Sequence, residues 1–320
     1  GFLLTSVRNW TGLDTPSGTS LALLALLWLA PRLLSFVPAL PPMAFAMLDS
    51  LFLLLLAVVL GRLILRAKLS NNYPIPALLV ILGLCNAAVH ADVLGFAEGI
   101  ANPAMKIAVL IIIALMSVIA GRVLPFFMQR AIGVRPANHI WVEKLSLPSV
   151  LLFAAVLASG QENLIIITAL LTACIHGIRL IGWSDRAVLQ QPMLWVLHAG
   201  YAWLVAGFLL YAIAEWMEVP TVQAVHAWTV GGIGIFTLGM MARVALGHTG
   251  RNIEALPLIP AAFILMMLAA LIRVIVPGIS PAMMEASVLI SAICWLAAFA
   301  IVALRYTAIL LHARVDGKPG

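Results

Sequence analysis

From Val219 to Ala242 the chain runs for some two dozen residues without one Asp, Glu, Lys or Arg. At ~1.5 Å of rise per residue this is enough helix to cross the ~30 Å hydrocarbon core of a bilayer. The run closes on a cluster containing Arg243, His248, Gly250 and Arg251. It also holds groups that a simple anchor does not need: His226, the hydroxyls of Thr229 and Thr237, and Gly231, Gly232, Gly234 and Gly239. Small residues suit close helix approach. An ionisable group at depth is costly and usually faces a bundle interior, which makes His226 a candidate site residue.

Nine further apolar runs give ten spans in all, at about 19–37, 43–61, 74–96, 104–124, 147–160, 163–182, 192–214, 219–246, 256–276 and 282–304. Turn clusters separate them, among them Pro38–Pro42, Asn71–Pro74 and Asn102-Pro103. The longest polar connection is roughly Gln129–Ser146. With 64% hydrophobic and 9% charged residues and a mean hydropathy of +1.13, the chain is far from a soluble domain, whose charged share is about 25%. The pattern predicts an all-α, polytopic transmembrane bundle forming one membrane domain over residues 1–320. Its start, Gly1–Leu4, reads like the tail of an apolar helix and shows no signal peptide. The expectation is a chain lacking one or two N-terminal helices.

Lys and Arg fall unevenly on alternating connections. Arg8, Arg62, Arg66, Lys68, Arg122, Arg130, Arg135, Lys144, Arg179, Arg186, Arg243, Arg251, Arg305, Arg314 and Lys318 share one side, against Arg32, Lys106 and Arg273 on the other. The positive-inside rule places the richer side, with loops 62–73, 122–146 and 243–255 and the C-terminus, in the cytoplasm. This distribution accounts for a pI near 9.7 without a nucleic-acid partner. The lipid bilayer is the partner that composition requires.

Depth sorts the histidines into two tiers. His90 and His226 lie ~10 Å inside the outer helix ends, and His176 and His198 lie ~10 Å inside the cytoplasmic ends. Neutral imidazole is a common ligand for haem iron and copper. The alternative for each is a single interhelical hydrogen bond. A proton relay would want carboxylates alongside, and the sequence reading places none in mid-membrane: Asp92, Glu98, Glu215 and Glu218 cluster toward outer ends. Asn86 shares a helix face with His90, and Tyr201 with His198, either as a partner that orients the ring or as packing. Arg122 and Arg243, at inner helix ends, could pair with haem propionates or simply snorkel. Methionines near outer ends, such as Met43 and Met283, are soft enough for Cu(I) but also serve as filler. Cys85, Cys174 and Cys294 show no pairing pattern. P-loop, HExxH, GxSxG and dinucleotide-binding motifs are absent from the sequence, and the Gly-Gly-Ile-Gly at 231–234 lies inside a span.

Four segments carry a resemblance: Gly1-Phe-Leu-Leu-Thr-Ser-Val-Arg-Asn-Trp-Thr-Gly12, Gly121-Arg-Val-Leu-Pro-Phe-Phe127, His198-Ala-Gly-Tyr-Ala-Trp203 and Met240-Met-Ala-Arg-Val-Ala-Leu-Gly-His-Thr-Gly-Arg251. The chain resembles the NnrS family over essentially its whole length. That resemblance implies a bacterial inner-membrane protein of about twelve helices when intact, containing haem and copper. It also implies nitric oxide as the small-molecule ligand, with a role in nitrosative stress or denitrification and an electron-transfer partner unidentified. It places Arg243, His248 and Arg251 in the family signature and strengthens His90, His176, His198 and His226 as ligand candidates. A His-x-His-Glu-Met element usual in an early family helix does not occur here. His248 reads either as a helix-end residue favoured by the dipole or as a haem-edge contact. The rival functions are a transporter with a histidine-lined path, for which no internal repeat is visible, and a catalytic nitric oxide reductase. The latter would want a His-His pair, which the sequence lacks.

Overall fold

Hydrocarbon offers no partner to a backbone N–H or C=O, so apolar segments must close their hydrogen bonds internally. In the computed structural model, which describes residues 2–37, 41–137 and 139–317, every regular element is a helix. Gly1, Lys318 and part of the Pro38–Pro42 turn lie outside the described residues. Nine helices among the described residues are long and apolar enough to cross a membrane. The tenth expected span is α2, Gly18–Leu34, an apolar helix of 17 residues. The protein is therefore all-α and multi-pass.

The chain divides into two compact units, Gly1–Leu115 and Met116–Gly320. In the first, α1 (Phe2–Thr11) and α2 pack on α3 (Pro42–Arg66), which pairs with α4 (Pro74–Val93). Helix α5 (Ala101–Ile132) contributes to both units. In the second, α6 (Ile140–Ser159), α7 (Glu162–Gly182) and α8 (Pro192–Trp216) pack in sequence. Beyond them come α9 (Val222–His226), a π-helical segment (Ala227–Ile235), α10 (Phe236–His248), α11 (Ile259–Ile279) and α12 (Met284–Leu311). Proline opens α3, α4, α8 and α11, where its missing N–H costs no intrahelical bond. Gly160, with φ at +67°, ends α6 in the left-handed conformation and turns the chain straight into α7.

Two elements differ from the sequence expectation. Helix α6 begins at Ile140, seven residues before the expected start at 147. It takes in Glu143 and Lys144, polar residues that read as a connection. The supposed connection Gln129–Ser146 shrinks to 133–139 between α5 and α6. The glycine-rich span is also not one α-helix. Its middle nine residues are π-helical, with i→i+5 bonding that is uncommon beyond a single turn and recurs at functional sites. Thr229 and Thr237 hydroxyls donate to the carbonyls of Val225 and Ile233 at the two ends of this segment, at 2.9 and 2.6 Å.

The glycines there do what the sequence suggested. A Cβ on Gly231 would sit 2.6 Å from the Trp203 ring of α8, and one on Gly239 would sit 2.6 Å from Val196. In return Gly207 of α8 makes room for Trp228, whose Nε1 donates to Leu204 O at 3.2 Å. Trp228 stacks on Tyr211 with centroids 5.4 Å apart, Phe153 meets both rings edge-on, and Phe208 meets Trp228 and Phe153 edge-on. This aromatic cluster is the core of the second unit.

Candidate functional site

Below the cluster lies the most polar part of the interior. His176 of α7 has no exposed surface. Its Nε2–H donates to Ser146 O at 3.1 Å, and its Nδ1 accepts from the Tyr201 hydroxyl at 2.6 Å. A carbonyl can only accept, so these contacts fix the tautomer. Tyr201 OH in turn accepts from Arg179 Nη1 at 3.0 Å, and the same nitrogen donates to Ser117 O and Oγ at 2.9 and 3.0 Å. The other edge of the guanidinium grips Glu143 bidentately, with Nε to Oε1 at 2.8 Å and Nη2 to Oε2. Trp183 covers the Arg179 guanidinium, 4.8 Å from its ring centroid. Space for this head exists because Gly121 of α5 has no side chain; a Cβ there would overlap Arg179 and come 2.9 Å from Glu143. Four helices, α5 to α8, thus meet on one satisfied ion pair.

Sequence reasoning missed half of this network. Arg179 was assigned to a cytoplasmic connection and Glu143 to a loop, because a charge near the end of an apolar run looks solvated. Arg179 is in fact 5% exposed. Asp49 is a second carboxylate that the sequence reading passed over. Asp49 lies seven residues inside α3, where its Oδ2 meets His90 Nε2 at 3.2 Å and accepts from Asn86 Nδ2 at 3.0 Å, while Oδ1 accepts from Arg32 at 3.3 Å. His90 and Asn86 do share a face, and the missed partner is what joins them. Such a carboxylate–imidazole contact also orients metal-binding histidines.

The tiers are shallower than expected on the outer side. His226 is four residues inside α9 and His90 three from the end of α4, ~6 and ~4.5 Å at helical rise. His90 belongs to the first unit and His226 to the second. His226 Nε2 is buried with no hydrogen-bond partner and borders a cavity of about 360 Å³. His198 holds Nδ1 2.9 Å from Leu194 O and Nε2 3.1 Å from Trp183 O. A neutral ring can donate to only one of these carbonyls. His198 also borders a cavity of about 1000 Å³, together with Ser184, Asp185, Arg186, Trp195 and Met267. His176 and His198 make no hydrogen bond to each other.

The arginines of the signature are structural in their contacts. Arg243 is 3% exposed and its guanidinium lies 3.8 Å from the Phe127 ring centroid, with Nε unpartnered. Arg122, half-buried on α5, lines neither cavity. Arg251 reaches only the Thr249 carbonyl, at 3.4 Å. Around His248 the signature forms a clasp. Arg314 Nη1 donates to His248 O at 2.8 Å, and Val315 N donates to Thr249 O at 3.2 Å. These are the last carbonyls of α10, which its own helix leaves unpaired. Asp316 holds Arg314 in a two-point contact, at 2.9 and 2.6 Å, which raises the guanidinium pKa above its ordinary value. Gly250 combines a φ of +73° with a Cβ position 2.7 Å from Asp316. Only glycine meets both demands.

Haem and copper can be weighed against these donors. A haem needs one axial nitrogen and an apolar slot. His176 does not fit, since both nitrogens are engaged and it lines none of the described cavities. His198 fits better: Nδ1–H on the Leu194 carbonyl is the usual orienting contact of a ligating histidine. The adjoining cavity has the volume of a large ligand site. Copper wants several donors, and among the described residues no three His, Cys, Asp or Glu side chains converge. No curated protein and no solved structure matches the chain. The NnrS protein family matches residues 1–314 of the 320. On that match the chain belongs to the NnrS family, multi-pass membrane proteins associated with the response to nitric oxide.

Proposed function

We propose that this protein binds haem in the bacterial inner membrane and acts through it in nitric oxide tolerance, with His198 as the residue that would hold the iron. The observation that carries this reading is the cavity of about 1000 Å³ that His198 borders. Leu194 O would hold the ring by Nδ1–H and leave Nε2 for the iron. Arg186, on the same wall, is placed to pair with carboxylate side groups. Trp195 and Met267 supply apolar surface that keeps water from the bound face. Iron in such a site supplies a centre to which nitric oxide can bind. Copper, implied by the resemblance, has no donor set in the described residues and no role in this reading. The Lys/Arg bias supports a cytoplasmic location for the helix ends and connections within 62–73, 122–146 and 243–255.

Metal and haem content of the detergent-purified protein, reconstituted with hemin, tests the assignment. His198→Ala should lose most of the bound haem. His176→Ala should keep it while losing stability. Full haem binding by His198→Ala would remove His198 from the ligand position, and failure of the unsubstituted protein to bind hemin would end the haem reading.

A further inference from the structure

Away from the His198 cavity, one buried imidazole nitrogen is left without an answer. His226 Nε2 has no partner, and the cavity beside it has Arg273 of α11 and Ser291 of α12 as its other polar walls. Arg273 makes no ion pair among the described residues. Its Nη1 contacts only the Met284 thioether, at 3.6 Å. Ser291 donates to Ala269 O at 2.8 Å and has only lone pairs to offer. The apolar walls include Val288, Trp295 and Leu296, which are 42, 39 and 60% exposed along the flank of α12. The cavity therefore opens sideways, onto the face a bilayer would cover.

Met284 is the first residue of α12, so the guanidinium that touches it sits at the level of a helix end. Leu296 lies twelve residues on, ~18 Å deeper. The guanidinium at that level and the His226 ring thus border one slot whose other walls are largely apolar. An unpaired cation at this level calls for anionic oxygen. A zwitterionic head carries its own cation beside the phosphate, which competes with the guanidinium, a neutral head offers no charge, and a small free anion would make no use of the slot. We propose that this cavity binds an anionic phospholipid. Its phosphate oxygens accept from Arg273 and from His226 Nε2–H, and one acyl chain lies along Val288 and Leu296 past Trp295. This assignment is independent of the haem reading.

Bromine on an acyl chain quenches neighbouring tryptophan fluorescence, and Trp295 stands in the wall. Delipidated protein in mild detergent is titrated with brominated phosphatidylglycerol, with brominated phosphatidylcholine, and with inorganic phosphate as competitor. Subtracting the signal of Trp295→Phe isolates the reporter. Trp295 should be half-quenched at about fivefold less phosphatidylglycerol than phosphatidylcholine, the preference one well-placed cation provides. Arg273→Gln should abolish the preference, Arg273→Lys should keep most of it, and His226→Phe should weaken it. Equal quenching by the two lipids in the unsubstituted protein would overturn the proposal, as would a preference that survives Arg273→Gln. Displacement of the lipid by inorganic phosphate would make the site one for a free anion and overturn the lipid assignment. Should Arg273→Gln fail to fold, the two-lipid comparison and His226→Phe still decide.

Discussion

Single residues in the α5–α8 network carry unequal weight, because a buried charge without its partner costs more than a lost neutral hydrogen bond. Arg179→Ala leaves Glu143 facing a hole, and with the Glu143 side chain 26% exposed the expected loss is about 3 kcal/mol, the low end for a broken buried pair. Tyr201→Phe removes the hydroxyl between Arg179 and His176 and should cost about 1–2 kcal/mol. Both losses are read as lowered thermal midpoints in detergent, and Tyr201→Phe proving the more harmful would contradict the ranking. His176 and Tyr201 were visible in the sequence as polar groups inside apolar runs. Arg179, Glu143 and Asp49 were not, since linear order does not show that a charge near a helix end turns inward to a partner 36 or 41 positions away, as Arg179 does to Glu143 and Asp49 to His90.

Helices were the most legible elements, because a bilayer leaves an apolar run few alternatives. The early start of α6 was hidden by Glu143 and Lys144, whose polarity mimics a loop once the ion pair is invisible. Hydrophobic periodicity could not reveal the π-helical segment either, since all its residues but Thr229 are apolar or glycine. Packing there gives a sharp contrast. Gly231→Val drives a side chain into the Trp203 ring and should destabilise by about 1–3 kcal/mol. Gly247→Ala, with Ile253 3.9 Å from the new Cβ, should change stability by no more than about 0.5 kcal/mol. Thermal midpoints of the pair check this, and equal midpoints would mean that α8 and the π-helical segment do not pack as described. At the clasp, Gly250→Ala should free the segment after α12, seen as faster proteolysis beyond Leu311; unchanged cleavage would argue against the Arg314–His248 tether.

For the whole molecule, composition and the spacing of apolar runs were enough to define an all-α multi-pass protein, and the segment ending at Arg251 pointed to its family. The same signature was less informative about chemistry. Its most specific residues, Leu246–Arg251, close α10 against the segment at 314–316 and do not border the His198 cavity. Depth alone sorted four histidines into two pairs, whereas their contacts separate a saturated ring at His176 from a ring at His198 that borders a cavity and from an unpartnered nitrogen at His226. The measurement that bears most directly on the function is a reduced-minus-oxidised optical spectrum of the hemin-loaded protein before and after nitric oxide. The account predicts haem bands in the unsubstituted protein that shift when nitric oxide is added, and their loss in His198→Ala. Haem bands that ignore nitric oxide, or that are the same in His198→Ala, would contradict it.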